Sequence, residues 1–328
     1  MARGIISMAL ATAIASIGSL ELAAFLLFFR SVSGHRAESP GGKRLEAWVL
    51  VVIVATLGLC ATLLANLGST IWLAMRGTSP DLPQNLDQRF LVLETWGFLV
   101  PFAWGFSANW LPIFLGLRPI RGRAILGALG LNSAGVVVAM AGRFELGVAL
   151  LALGISITIW ALRLFEPAQQ PAKVKGVHSS FPYFVRMAYV WAGVAAALSI
   201  WAAGTANSRG IWGASRHALT VGFLSTMVFC VGQRVLPAFS GMRLLFSTKL
   251  MFVSLFLLNT GCVLRVGSEI LAYQGFAERA WSWLPVSAVT EMIPVTIFAT
   301  NLILTFISRP PSERINGSSV HSRAVRVQ

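Results

Sequence analysis

The chain has 328 residues, of which 56% are hydrophobic and only 12% charged, with a mean hydropathy of +0.73. Soluble domains carry about a quarter charged residues, so a water-soluble fold around one ordinary core is excluded. The net charge of +14 comes from 26 Lys and Arg against 12 Asp and Glu. These bases are spread over many loops, which speaks against nucleic-acid binding and for loops that line one membrane face.

Apolar runs of about 20 residues, long enough to cross roughly 30 Å of hydrocarbon as helix, predict nine spans. They cover 5–29, 47–75, 91–117, 124–141, 146–164, 184–206, 214–238, 244–266 and 281–307. The alternating ten-residue segments of a membrane barrel are absent. The expected fold is therefore an all-α polytopic membrane protein. The first run is too long for a signal h-region of about 7–15 residues and reads as a retained helix. Glu166 to Val177, with Pro167, Pro171, Gln169 and Gln170, reads as a linker.

Loop charges set the expected orientation. Arg30, Arg36, Lys43 and Arg44 lie in the first loop, and Arg118, Arg121 and Arg123 in the third. Lys173 and Lys175, then Arg243 and Lys249, follow in the fifth and seventh, and Arg309, Arg314, Arg323 and Arg326 in the tail. The intervening loops are nearly neutral: Arg76 and Arg89 balance Asp81 and Asp87, and Glu269 and Glu278 face Arg279. By the positive-inside rule the N-terminus is outside and the C-terminus cytoplasmic. Asn316-Gly317-Ser318 has the pattern of a glycosylation sequon but falls on the cytoplasmic side of this topology.

An internal repeat organises the chain. Leu111-Pro112-Ile113-Phe114-Leu115-Gly116-Leu117-Arg118 and Leu236-Pro237-Ala238-Phe239-Ser240-Gly241-Met242-Arg243 share the pattern LPxFxGxR. Gly97-Phe98-Leu99 and Gly222-Phe223-Leu224 match at the same offset, and Asn132 and Asn259 correspond after a small shift. We expect one membrane domain built from an N-terminal helix (1–30), two parallel four-helix repeats (46–165 and 182–308) and a basic tail (309–328). The motif itself reads first as a helix stop with a cytoplasmic anchor.

Few residues can carry chemistry. Cys60, Cys230 and Cys262 lie in apolar runs without a CxxC and read as small buried residues. His35, His178 and His321 fall in loops or the tail. His217 alone lies within a span, expected in the first turn of the seventh helix at the outer surface; imidazole there suits haem iron or copper. Glu291 lies near mid-membrane beside Thr290 and Pro294, with Glu94 and Glu21 in other spans; such acids are candidates for proton or ion handling. Arg265 and Glu269, four residues apart, can pair along one helix face, or Arg265, with Arg216, can meet an anionic group such as a haem propionate. Trp281 and Trp283 read as interfacial aromatics. No Walker A, GxGxxG, HExxH or nucleophile triad is present, so enzymatic turnover is not expected.

The string His217-Ala218-Leu219-Thr220-Val221-Gly222, followed by Thr226-Met227 and Arg234, resembles the HALTVG signature of the NnrS family, bacterial membrane proteins associated with haem, copper and the nitric oxide response. The resemblance is sharp over Arg216 to Gly241. It implies His217 as ligand for haem b, ahead of copper, with Arg216 and Arg265 beside it, in a bacterial inner membrane. The family generally has about twelve spans and further histidines in early helices, whereas this chain has about nine spans. Val92 stands where His217 falls in the first repeat, so a haem would be five-coordinate or would take Met227 or Met292 as its second axial ligand. A secondary transporter using the repeat interface and Glu291, or a partner of respiratory-chain or oxidase subunits, is the expectation from the other function classes.

Overall fold

A computed structural model describes residues 2–34, 45–76, 82–205, 208–240 and 244–308. His35, Arg36, Lys43, Arg44, Asp81, the Gly241-Met242-Arg243 end of the second motif, and the tail with Arg309, Arg314, Asn316, His321, Arg323 and Arg326 lie outside the described residues. Among those described there is no strand, and nine helices are long and apolar enough to cross a membrane. The chain is a multi-pass helical membrane protein.

Two spans start earlier than hydropathy suggests. The third runs Gln84–Leu115 and the seventh Gly210–Phe239. Their first turns carry polar residues or glycine (Gln84 to Arg89, and Arg209 with Gly210 and Gly213) that an apolar scan discards, although none of them stops a helix. His217 consequently sits in the third turn of its helix, which begins at Arg209, and not in the first.

The chain divides into two compact units, Met1–Gln169 and Gln170–Gln328. In unit 1, α1 (Ala2–Gly34) packs along α2 (Ala47–Arg76). A continuous rod follows, made of α3 (Gln84–Val92), a π-helical stretch (Leu93–Leu99) and α4 (Val100–Leu115). It ends on Gly116, whose φ of 64° is the left-handed cap expected of the LPxFxGxR motif. The antiparallel pair α5 (Gly122–Met140) and α6 (Phe144–Leu162) completes the unit. Arg121 ties its end together, donating to the Trp160 carbonyl and to Glu166 at 2.8 Å each while its guanidinium lies 3.9 Å over the Trp160 ring.

Unit 2 follows the same order. After α7 (Phe181–Ala203) comes a rod of α8 (Arg209–His217), a π-helical stretch (Ala218–Ser225) and α9 (Thr226–Phe239). Then come α10 (Thr248–Tyr273) and α11 (Ala280–Ile307), which pack along each other. The two π stretches begin at Leu93 and Ala218, at the same offset as Leu111 and Leu236 of the repeated motif.

The π stretches pose a backbone problem that the two units solve differently. In a π turn the donor to carbonyl i is the N–H of residue i+5. Thr226 fills that role for Val221, with both its N–H and its hydroxyl, and Asn259 reaches that hydroxyl at 3.4 Å. The matching position in unit 1 is Pro101, which has no N–H. The Trp96 carbonyl is met instead by Asn132 Nδ2 from α5, at 2.7 Å and fully buried. Asn132→Ala should therefore cost about 1 kcal/mol in detergent-phase unfolding. In a Pro101→Ala background, where the missing donor is restored, the cost should fall; an equal cost in both backgrounds would refute this account.

Candidate functional site

The site is assembled from three helices of unit 2. The last turn of α8 presents His217, α10 presents Cys262, Arg265 and Glu269, and α11 presents Glu291. His217 Nε2 and Glu291 Oε2 are 2.9 Å apart, within hydrogen-bond distance. The side chains keep 26% and 14% of their full exposure, so the pair lies inside the bundle, yet not sealed.

A second acid adjoins this pair. Glu269 is 10% exposed, bound by Arg265 at 3.3 Å, and lies within electrostatic reach of both His217 and Glu291. Cys262 directs its thiol at the His217 carbonyl, 3.8 Å away, with Glu291 nearby. Arg216 is half-buried at the neighbouring position. Three polar atoms of the cluster, Glu291 Oε1, Glu269 Oε2 and Arg265 Nε, are buried without a hydrogen-bond partner among the described residues. Unsatisfied carboxyl oxygens within a membrane bundle are costly.

Glycines make room for the acids. A Cβ on Gly261 would stand 2.6 Å from Glu291 Cγ, and one on Gly213 would stand 3.0 Å from Glu269 Oε1. Each carboxylate thus lies in a notch where the facing helix has no side chain. Pro294, buried one turn after Glu291, withdraws the donor that the Thr290 carbonyl would use.

The candidates from sequence divide accordingly. His217, Arg265 and Glu291 come together, with Arg216 adjoining, and the Arg265–Glu269 pair forms as its spacing suggests. Glu94 belongs to the π stretch of unit 1 and Glu21 to α1, and both are exposed. Met227 is buried and Met292 is 65% exposed, so the latter turns away from the helix interface. Sequence reasoning missed the His217–Glu291 contact because it placed one residue at the surface and the other at mid-membrane. Glu269, read as a loop charge, is inside α10. No sequence signal joins them, because the glycines that face the acids, Gly213 and Gly261, are recognisable as such only once the helices are packed.

The family model described as Domain of unknown function (DUF8744) matches residues 44–305. The chain belongs to this family. The DUF8744 match runs from just before α2 into α11, and so takes in every residue of the cluster. No curated protein and no solved structure matches the chain.

The notch at Gly261 gives a direct test of the geometry. Gly261→Ala should lower the unfolding free energy by about 1–3 kcal/mol, the usual cost of overpacking, in denaturant titration of the detergent-solubilised protein. Unchanged stability would mean that α11 is free to move off α10.

Proposed function

We propose that this protein moves protons across the membrane, with the His217–Glu291 pair as the group that takes up and releases the proton. The observation that carries this reading is the 2.9 Å contact between an imidazole and a carboxyl group inside the spans. Histidine changes charge near neutral pH, and a carboxyl beside it can take or return the same proton. The free Oε1 of Glu291 is the atom that would exchange it onward. Glu269, with Arg265, forms a station nearer the α10–α11 connection, which the charge pattern of the loops assigns to the outside.

The experiment is proton entry into proteoliposomes loaded with a pH-sensitive dye, driven by a potassium diffusion potential, negative inside. Wild type should acidify the lumen faster than protein-free vesicles, and Glu291→Gln should return the rate to the protein-free value. Equal rates for wild type and empty vesicles would overturn the reading.

Metal ligation by His217, which the resemblance to NnrS implies, is the second reading. What favours it is the carboxylate on one ring nitrogen, the device that orients metal-bound histidines through the other. Haem b on Nε2 does not fit this arrangement, since Glu291 Oε2 stands where the iron would be, and the notches at Gly213 and Gly261 are filled by acids. Among the described residues, no three of His, Cys, Asp and Glu group as metal ligands. An absorption spectrum with haem and metal quantified per chain decides between the readings. We expect no stoichiometric Soret band; one that vanishes in His217→Ala would replace the proton reading with the haem one.

A further inference from the structure

The polar side chains of unit 2 do not stop at Glu291, and their arrangement suggests how access to that residue is controlled. One level below the pair, toward the α9–α10 connection, lies Asn259. Its Oδ1 accepts from Trp191 Nε1 at 3.0 Å and its Nδ2 donates to the Leu255 carbonyl at 2.8 Å. Further along the same direction is a second polar group. Asn301 Nδ2 donates to Gln233 Oε1 at 2.8 Å, and both side chains are fully buried. From there Asn301 accepts from the Ser247 N–H at 3.0 Å, and Thr305 accepts from the Phe246 N–H at 2.9 Å, which brings the network to the α9–α10 connection.

Between the two polar levels the buried side chains are apolar apart from Ser254, whose hydroxyl is spent on the Met251 carbonyl at 2.9 Å. Seven residues, about 10 Å of helix, separate Thr226 from Gln233 on α9. Within that interval the rings of Phe229 and Phe298 stack face to face, with centroids 4.2 Å apart and planes 16° from parallel. Cys230 and Leu255, at the same height on α9 and α10, are fully buried and apolar. The facing residue on α9 is Gly232, where an added Cβ would come no closer than 3.6 Å to the Phe298 ring. The ring edge therefore already rests on a stretch of α9 that carries no side chain, across which it can slide.

We propose that the Phe229–Phe298 stack is the closed gate of a path through unit 2, leaving the His217–Glu291 pair open toward the α10–α11 connection and cut off from the Gln233–Asn301 network. Swinging of Phe298 over Gly232 joins the two polar levels through water. This inference rests on the proton-handling reading of the pair and adds the element that regulates it.

The test uses the same proteoliposomes, reading the initial rate of lumen acidification for the full chain. Phe298→Ala should raise the rate at least tenfold, and Glu291→Gln in that background should remove the increase. Gly232→Val, which fills the space the ring needs, should slow the wild-type rate several-fold, and it decides alone if Phe298→Ala does not fold. If Glu291→Gln slows wild type but neither gate substitution changes the rate, the gate is wrong and the proton site stands. A tenfold rise in Phe298→Ala that survives Glu291→Gln is a leak past the site and overturns the gate as well. If Glu291→Gln leaves the wild-type rate untouched, it is the proton reading that fails.

Discussion

Hydrocarbon offers a backbone carbonyl no partner, so wherever a membrane helix departs from the α pattern another donor must be supplied. Two rods of this chain depart from it, each through a π stretch, and the packing around each rod follows from how that stretch is satisfied. In unit 1 the donor is a side chain from another helix: Asn132 of α5 must reach the Trp96 carbonyl, which fixes α5 against the rod. In unit 2 the rod satisfies itself through Thr226, and Asn259 of α10 is left to bind the Thr226 hydroxyl and the Trp191 indole. The difference traces to one residue, Pro101 in one rod and Thr226 in the other.

The same contrast holds for chemistry. The rod of unit 2 carries an imidazole immediately before its π stretch, where the rod of unit 1 carries Val92. Around that imidazole, unit 2 gathers two carboxylates and at least one guanidinium, while in unit 1 the half-buried ions Arg121, Arg163 and Glu166 pair beside the end of α6 and the fully buried polar groups among the described residues, Asn132, Ser107 and Thr158, are neutral. Backbone architecture is shared and the placement of charge is not. In one unit the buried Asn132 and Thr158 answer backbone carbonyls, and the other unit spends desolvation on groups that can change protonation state.

Sequence made the class and the helix count legible because lipid imposes a length and a composition that few residues evade. Nine apolar runs, the Gly116 cap and the Arg265–Glu269 spacing are local properties, and local reasoning reads them well. The π stretches were not legible: the residues from Leu93 to Leu99 and from Ala218 to Ser225 carry no feature that an ordinary helix would refuse. Helix starts were misplaced for the opposite reason, because polar or glycine-bearing first turns such as Gln84 to Arg89 and Arg209-Gly210 look like loop to a hydropathy scan. That error moved His217 toward the surface and hid its meeting with Glu291, which depends on the height of two residues 74 positions apart. Such a contact is a property of packing, and the glycines that permit it show only as ordinary glycines in the sequence.

A π stretch also stores a count. Holding one residue more than an α-helix over the same contacts, it turns everything before it by about 100° relative to everything after it. His217 stands on one side of such a stretch, and the face of α9 that meets α10 and α11 stands on the other. The direction in which the imidazole leaves the helix is therefore set by the number of residues between His217 and Thr226, and much less by which residues they are. Sequence drift at the exposed or half-buried positions of that segment is compatible with the site as long as the count holds, whereas Gly222 cannot drift, since an added Cβ would stand 2.5 Å from the Trp191 ring. The loss of a single residue would leave hydropathy, span length and every charged group intact, and would turn His217 away from its acid.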